Sequence, residues 1–242
     1  MKSVEIRKLT HELRLFGMHE SFERRCAEAA QEGLLGEELL TRLLEDEKLN
    51  RKNKASKMLE TQAKFRRESI LEEWDTTKDR GITKTKLREL SALGFWHAKK
   101  NLIIVGQTGS GKTQLSIALG RAACQMQLSV LFLPMNQFFE EALANRASGK
   151  MIPWMKKIKK YDVVILDDFA LRTYTHDEAV LLIDFLEDRY RKSIHIISSQ
   201  VDIEGWNTLF EDPVIADALI DRIKNPSEKI KLTGGSYREM LG

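Results

Sequence analysis

The sequence predicts an α/β protein: a parallel five-stranded sheet with helices on both faces, preceded by a small all-helical N-terminal domain. Three observations carry this reading. From about residue 101 onward, strand-length apolar runs alternate with helix-period stretches, the pattern of a parallel sheet buried between helical layers. Residues 106–113 read Gly-Gln-Thr-Gly-Ser-Gly-Lys-Thr, between one such run and a helical stretch. Residues 3–67 contain no proline and no strand-like run, only apolar positions at helical spacing.

In chain order, Leu9, Leu13, Phe16, Phe22, Leu34, Leu35, Leu39, Leu40, Leu43 and Leu44 supply apolar faces, and Gly17, Gly33 and Gly36 are the expected breaks. Two short helices and a long one over 36–67 follow from that spacing. The polar run Asp75-Thr-Thr-Lys-Asp-Arg-Gly81 marks a connector within 69–92. Strands are then expected at 101–105, 129–133 (closed by Pro134), 162–166, 193–198 and 228–232. Helices are expected at 112–127, 136–147, 151–159, from Thr175 to 191, and at 213–223. Thr175 and Glu178 have capping-box spacing. The organisation is a helical domain over 1–68, a connector over 69–92, and a nucleotide-binding domain over 93–242.

Bulk composition narrows the class. A net charge of +3 over 242 residues is too small to argue for nucleic acid by itself. Cys26 and Cys124 are far apart and lack zinc-type spacing, so both are expected to be reduced, mostly buried thiols. No run approaches the ~18 apolar residues of a membrane span, and the N-terminus lacks the apolar core of a signal peptide. A cytoplasmic protein with no membrane association is expected.

Residues 106–113 satisfy every fixed position of the P-loop pattern G-x-x-x-x-G-K-[ST]. Gly106, Gly109 and Gly111 permit the tight turn that brings backbone N–H groups against phosphate oxygens, in a loop completed by Gln107, Thr108 and Ser110. Lys112 supplies charge for the β- and γ-phosphates, and the Thr113 hydroxyl can ligate Mg²⁺. ATP with Mg²⁺ is therefore the expected ligand pair. Asp167 and Asp168 directly follow the apolar run 161–166. Asp167 suits the metal, and Asp168 stands where many such ATPases place a glutamate that polarises the attacking water. Gln200, or Ser199 beside it, can sense the γ-phosphate through its amide or hydroxyl. Arg222 ends the helical string Ile215-Ala-Asp-Ala-Leu-Ile-Asp-Arg-Ile. Chemistry alone leaves it either a phosphate-directed guanidinium from a neighbouring subunit or a helix-terminal arginine paired with Asp221.

Between residues 48 and 67, eight basic residues (Lys48, Arg51, Lys52, Lys54, Lys57, Lys64, Arg66 and Arg67) face one acidic residue, Glu60. On a helix they would cover more than half the circumference, leaving Ala55, Met58, Leu59 and Ala63 to pack. Such a helix can lie along phosphates without reading bases, or be a solvated face. Lys156, Lys157, Lys159 and Lys160 form a second group, open to either reading. His97, Trp154, Trp206, Met135, Phe138 and Phe139 read as packing residues.

With these motifs in place, the chain resembles the IstB branch of the AAA+ ATPases, helpers encoded beside insertion-sequence transposases, and is similar to DnaC-type helicase loaders. The resemblance rests on Leu43-Leu-Glu-Asp-Glu-Lys-Leu-Asn-Arg-Lys-Asn-Lys54, Ile165-Leu-Asp-Asp-Phe169, Ser199-Gln200 with Trp206 six residues on, Asp212-Pro213, Ala216-Asp-Ala-Leu-Ile-Asp-Arg-Ile223 and Gly235-Ser-Tyr-Arg238. The cradle departs from the usual IstB wording at Gln107-Thr108 and Ser110, positions the motif tolerates. The resemblance implies a P-loop AAA+ core without a C-terminal lid domain, and an ATPase that self-assembles on duplex DNA, remodels it and assists a transposase. It also implies that Arg222 acts on a neighbouring subunit's nucleotide and that the basic N-terminal stretch contacts DNA. A replicative-helicase loader is the alternative within the same machinery. A small-molecule phosphotransferase is the alternative outside it, disfavoured by the 105 residues that precede the P-loop.

Overall fold

Three helices open the chain: α1 (Lys2–Glu12), α2 (Phe16–Glu32) and α3 (Gly36–Gln62). The computed structural model describes residues 2–71, 74 and 80–233, so connector residues 75–79 and the closing Gly235-Ser-Tyr-Arg238 lie outside the described residues. Contacts divide the chain into two units, Met1–Met58 and Leu59–Gly242.

In the first unit a small apolar cluster, Met18, Phe22 and Leu43, is supported by an unusual helix start. The N-cap of α2 is Leu15, which makes no side-chain cap. The buried Glu47 of α3 replaces it, accepting from Gly17 N at 2.6 Å and Met18 N at 3.3 Å, with Arg51 Nε at 2.7 Å. Burial opposes the Glu47 charge, but Arg51 and the two backbone donors outweigh it and hold the pKa below its ordinary value. Gly17, expected as a break, lies inside α2. A Cβ there would sit 2.6 Å from Asp46 O and 2.7 Å from Glu47 Cα, so glycine is what lets α2 and α3 approach. The real break is at Arg14, in the left-handed region at φ 56°. Arg25 and Asp46 form a fork of 2.8 and 2.7 Å across the same pair, pulling the Asp46 carboxyl down to about 2.

The second unit contains α4 (Lys84–Ser91), α5 (Gly94–His97), β1 (Asn101–Gly106), α6 (Lys112–Gln125), β2 (Val130–Pro134), α7 (Met135–Ala147), α8 (Met151–Ile158), β3 (Val163–Phe169), α9 (His176–Arg189), β4 (Ile194–Ser199), a 3₁₀ turn (Ile203–Leu209), α10 (Pro213–Lys224) and β5 (Ser227–Leu232). The five strands are parallel in the order β2-β3-β4-β1-β5. This is the predicted sheet, with each expected strand shifted by at most a few residues. Two apolar layers cover it. One joins α7–α10 to the sheet through Phe138, Phe185, Trp206 and Leu219. The other joins α4–α6 through Leu90, Phe95, Leu115 and Leu119. Every residue of β1 is buried, as continuous apolar strands of a doubly covered sheet require. The capping box on α9 is present, with Thr175 and Glu178 exchanging both bonds.

The basic stretch is not one helix to residue 67. The helix α3 stops at Gln62, and Lys64 adopts φ 60°. Packing explains the stop: Ala63 is fully buried, its carbonyl accepts from Phe132 N at 2.9 Å on the edge strand β2, and Phe65 lies against Phe132 and Gly120. Lys64 then reaches Glu141 at 3.8 Å, and Arg66 Nη2 reaches Gln137 Oε1 at 3.3 Å. Met58, expected to pack, is 61% exposed.

At the edge where the strands begin, Arg189 is buried. It donates to Lys159 O and Tyr161 O from Nη1, to Ile194 O from Nη2, and to His195 Nε2 from Nε at 3.0 Å. Burial, and then the adjacent guanidinium, push His195 well below its ordinary pKa. The neutral ring therefore accepts at Nε2 and donates from Nδ1 to Asn101 Oδ1 at 3.2 Å. Arg189→Met strips four acceptors of this partner and is expected to cost about 3 kcal/mol or more, read as a lower urea midpoint. A loss under about 1 kcal/mol would mean that the network contributes little.

Candidate phosphate-binding site

The cradle 106–113 joins the end of β1 to the start of α6. Its shape is set by glycine: Gly109 and Gly111 adopt φ 81° and 96°, and a Cβ on Gly106 would lie 2.7 Å from Ser110 Oγ and 2.9 Å from Leu232 O. The helix α6 begins at Lys112 without a side-chain cap, so its first N–H groups and its dipole are directed at whatever the loop holds. Lys112 is buried, and its Nζ donates to Gln107 O at 2.8 Å. Burial lowers its pKa, opposed by Asp168 and then Asp167, so both carboxylates act on this ammonium. Ser110 Oγ is buried and has no hydrogen-bond partner among the described residues. Uncapped helix N–H groups, a buried ammonium and an orphaned hydroxyl around one loop fit a polyphosphate.

Asp167 and Asp168 sit at the end of β3, where the register with β4 slips between Leu166 and Phe169. Regular strand geometry would send consecutive side chains to opposite faces. The bulge, with Asp168 at φ 57°, brings the Asp167 carboxylate and the Asp168 backbone N–H to Ser198. Ser198 Oγ donates to Asp167 Oδ1 and accepts from Asp168 N at 3.1 Å. Thr113 Oγ1 lies 3.0 Å from each Asp167 oxygen. Burial raises the Asp167 pKa, Asp168 adds to this, and Ser198 and Thr113 oppose it. A hard divalent cation fits this pair of oxygen donors, one hydroxyl and one buried carboxylate.

Gln200 also reaches the loop, its Oε1 accepting from Thr108 Oγ1 at 2.8 Å. Ser199 does not: its hydroxyl donates to Val201 O at 2.7 Å and accepts from Trp206 Nε1 at 3.3 Å, fixing the turn that follows β4. A cavity of about 430 Å³ adjoins the loop, lined by Gly106, Gln107, Gln200, Asp202, Lys231 and Thr233 among others.

Two groups at this site escaped the sequence reading. Ser198 lies inside the noticed Ser-Ser-Gln string, but only the bulge reveals which hydroxyl meets Asp167. Trp74 packs its ring on the cradle, within 2.9 Å of a Cβ placed on Gly111, and its Nε1 has no hydrogen-bond partner among the described residues. A tryptophan directly ahead of the polar run 75–81 was the available signal.

Arg222 is not brought to this site. The carbonyls of Arg222 and Ile223 accept from Asn101 Nδ2 at 3.5 and 2.9 Å, and Asn101 begins β1 while the cradle follows its end. Five residue steps at about 3.3 Å place roughly 17 Å of strand between them, beyond the reach of an arginine side chain. Of the basic residues on α3, Arg51 is engaged by Glu47, and Lys54 Nζ lies 4.3 Å from the Phe16 ring centre. Lys48, Lys52 and Lys57 share that helix; Lys64, Arg66 and Arg67 follow its end. Lys156 and Lys157 lie on α8, with Lys159 and Lys160 just beyond. Among the described residues, no helix is long and apolar enough to cross a membrane.

Comparison with known proteins shows the family and the fold. Residues 8–240 match the family described as IstB-like ATP binding protein. An insertion-sequence ATP-binding protein of Mycobacterium tuberculosis is 31% identical, covering 96% of this chain and 93% of its own. An insertion-sequence ATP-binding protein of Sinorhizobium fredii is 30% identical, covering 96% and 94%. Among solved structures, DnaI superposes with a TM-score of 0.58 at 22% identity, over 69% of this chain and 89% of that one, which shows a shared fold.

Proposed function

The chain belongs to the IstB-like ATP-binding proteins, and from that premise we propose that it is an ATPase that assembles on duplex DNA and assists a transposase. The observation that carries this reading is the separation of two chemistries. Lys112, Thr113, Asp167, Asp168 and Ser198 meet at one edge of the sheet, and Arg222 stands at the other. A triphosphate in the cradle therefore meets Arg222 only when a second copy supplies it. ATP then acts as the link between copies.

In this scheme the cradle N–H groups and Lys112 bind the β- and γ-phosphates, and Thr113 with Asp167 holds Mg²⁺. The metal, when bound, supplies charge that offsets the phosphates. Asp168, and Gln200 through its amide, orient the attacking water. Arg222 from the adjacent copy neutralises charge on the transferring group. Loss of the γ-phosphate removes the contacts across the interface and releases the assembly. DNA is held by α3, where Lys48, Lys52, Lys54 and Lys57 track phosphates without reading bases. Lys64 and Arg66 contribute less, because Glu141 and Gln137 already engage them.

The test is particle imaging with long duplex DNA in ATP or ADP, with Lys112→Ala as control. DNA-bound assemblies are expected with ATP and the parent protein alone; solitary particles in every condition would defeat the proposal, and complexes that form only with a replicative helicase would favour a loader. A second measurement concerns the footprint. Lys48→Glu, Lys52→Glu and Lys57→Glu together leave the Glu47–Arg51 cap intact. They are expected to flatten the slope of log affinity against log salt by about 2–3. An unaltered slope would remove α3 from the DNA surface.

A further inference from the structure

Arg222 is held by residues that nothing in a phosphate-binding reading requires. Its Nε donates to Glu187 Oε1 at 2.7 Å and its Nη1 to Asp221 Oδ2 at 3.1 Å. The guanidinium carbon lies 5.0 Å from the Tyr190 ring centre. Nη2 makes no hydrogen bond among the described residues, and the side chain is 33% exposed. Glu187 is in the last turn of α9 and Tyr190 caps that helix. This helix end is pinned from within, because Arg189 lies between the two and is locked to the carbonyls of Lys159, Tyr161 and Ile194. On the other side, Asn101 grips the carbonyls of Arg222 and Ile223, and is itself fixed by His195 N at 2.9 Å. Backbone and side chain of Arg222 are thus fixed by separate supports, the backbone by the buried Asn101 and the side chain by Glu187 at the surface.

We propose that Glu187, with the Tyr190 ring beneath, is a positioning residue. It holds the Arg222 guanidinium on the outer face of α10 with its Nη2 edge presented to the nucleotide of a second copy. The inference rests on the reading that Arg222 acts in trans. An arginine free to sample its rotamers must be ordered when the interface closes, which costs about 0.5–1.5 kcal/mol for one flexible side chain. A planar fork already anchored at Nε and backed by an aromatic ring has met that cost in the free subunit. In this scheme Glu187 acts only through Arg222.

A mixing experiment separates this from a role in folding. Arg222→Ala keeps a working cradle and lacks the arginine; Lys112→Ala keeps the arginine and lacks a working cradle. Mixed with ATP and duplex DNA, they hydrolyse ATP where a Lys112→Ala subunit donates Arg222 to an Arg222→Ala cradle. Adding Glu187→Gln to the arginine donor is expected to lower the mixed rate about three- to tenfold, while adding it to the cradle subunit leaves the rate unaltered. Glu187→Asp on the donor is expected to recover part of the loss. Equal losses on both sides would assign Glu187 to folding and overturn the inference. An unchanged rate would also overturn it, and a faster rate would show that the carboxylate restrains Arg222 instead. If the starting mixture is no more active than its components, the trans reading fails, and the inference with it.

Discussion

Arg222→Ala will bind ATP as tightly as the parent protein and hydrolyse it roughly 10³-fold more slowly, with loss of ATP-driven assemblies on DNA. The magnitude is the low end of what a guanidinium contributes beside a transferring phosphoryl group. The reason that binding survives is geometric. Arg222 is at the edge where β1 begins, tied through its carbonyl to Asn101, and every cradle group is beyond the strand's other end. Removing the side chain takes Glu187 and Asp221 partners from the surface of α10 but nothing from the loop. Nucleotide affinity by titration, assembly by light scattering and turnover by phosphate release read the three parts separately. Weakened nucleotide binding in the isolated subunit would contradict the separation of the two edges. Normal turnover would assign Arg222 to helix-end pairing alone.

Asp167→Asn is expected to lower turnover by about 10²–10³-fold, a few kcal/mol of charge stabilisation lost with the metal. The substitution keeps the size of the side chain and an oxygen able to accept from Ser198, so the bulge is retained. What it removes is the buried negative charge facing Thr113. Because burial and Asp168 raise the Asp167 pKa, a proton competes with Mg²⁺ for this carboxylate. Metal affinity in the parent is therefore expected to climb as pH rises through that raised pKa, and this part of the pH dependence is expected to vanish in Asp167→Asn. A variant with parent-like turnover and metal affinity would exclude Asp167 as the ligand.

Much of this was legible in the sequence because the signals are local. The cradle is eight consecutive residues, the Asp-Asp pair directly follows its strand, and the capping box spans four positions. Buried parallel strands read as unbroken apolar runs, so five strands could be found without their partners. Errors fell where a local rule competes with a distant contact. Gly17 reads as a breaker, yet it is the point where α3 crosses α2. The basic run to Arg67 reads as one helix, yet Ala63 leaves it to cover the exposed edge of β2 through Phe132 N. Gln200 and Ser199 are not separable as sensor by sequence, and it is the fold that spends the Ser199 hydroxyl on the turn at Val201.

Contiguous residues specify the phosphate-binding loop of this protein and the strands of the layered sheet that displays it. A P-loop needs fixed residue types at fixed spacing, and burial on two faces imposes an apolar pattern that each strand bears alone. Tertiary structure decided which groups meet. Asp167 reaches Thr113 across 54 positions, and Ser198 reaches both aspartates only because β3 slips by one residue against β4. It also placed Arg222 one whole strand length from its own cradle. Strand order and register set those distances, and both are properties of the packed sheet rather than of any contiguous segment.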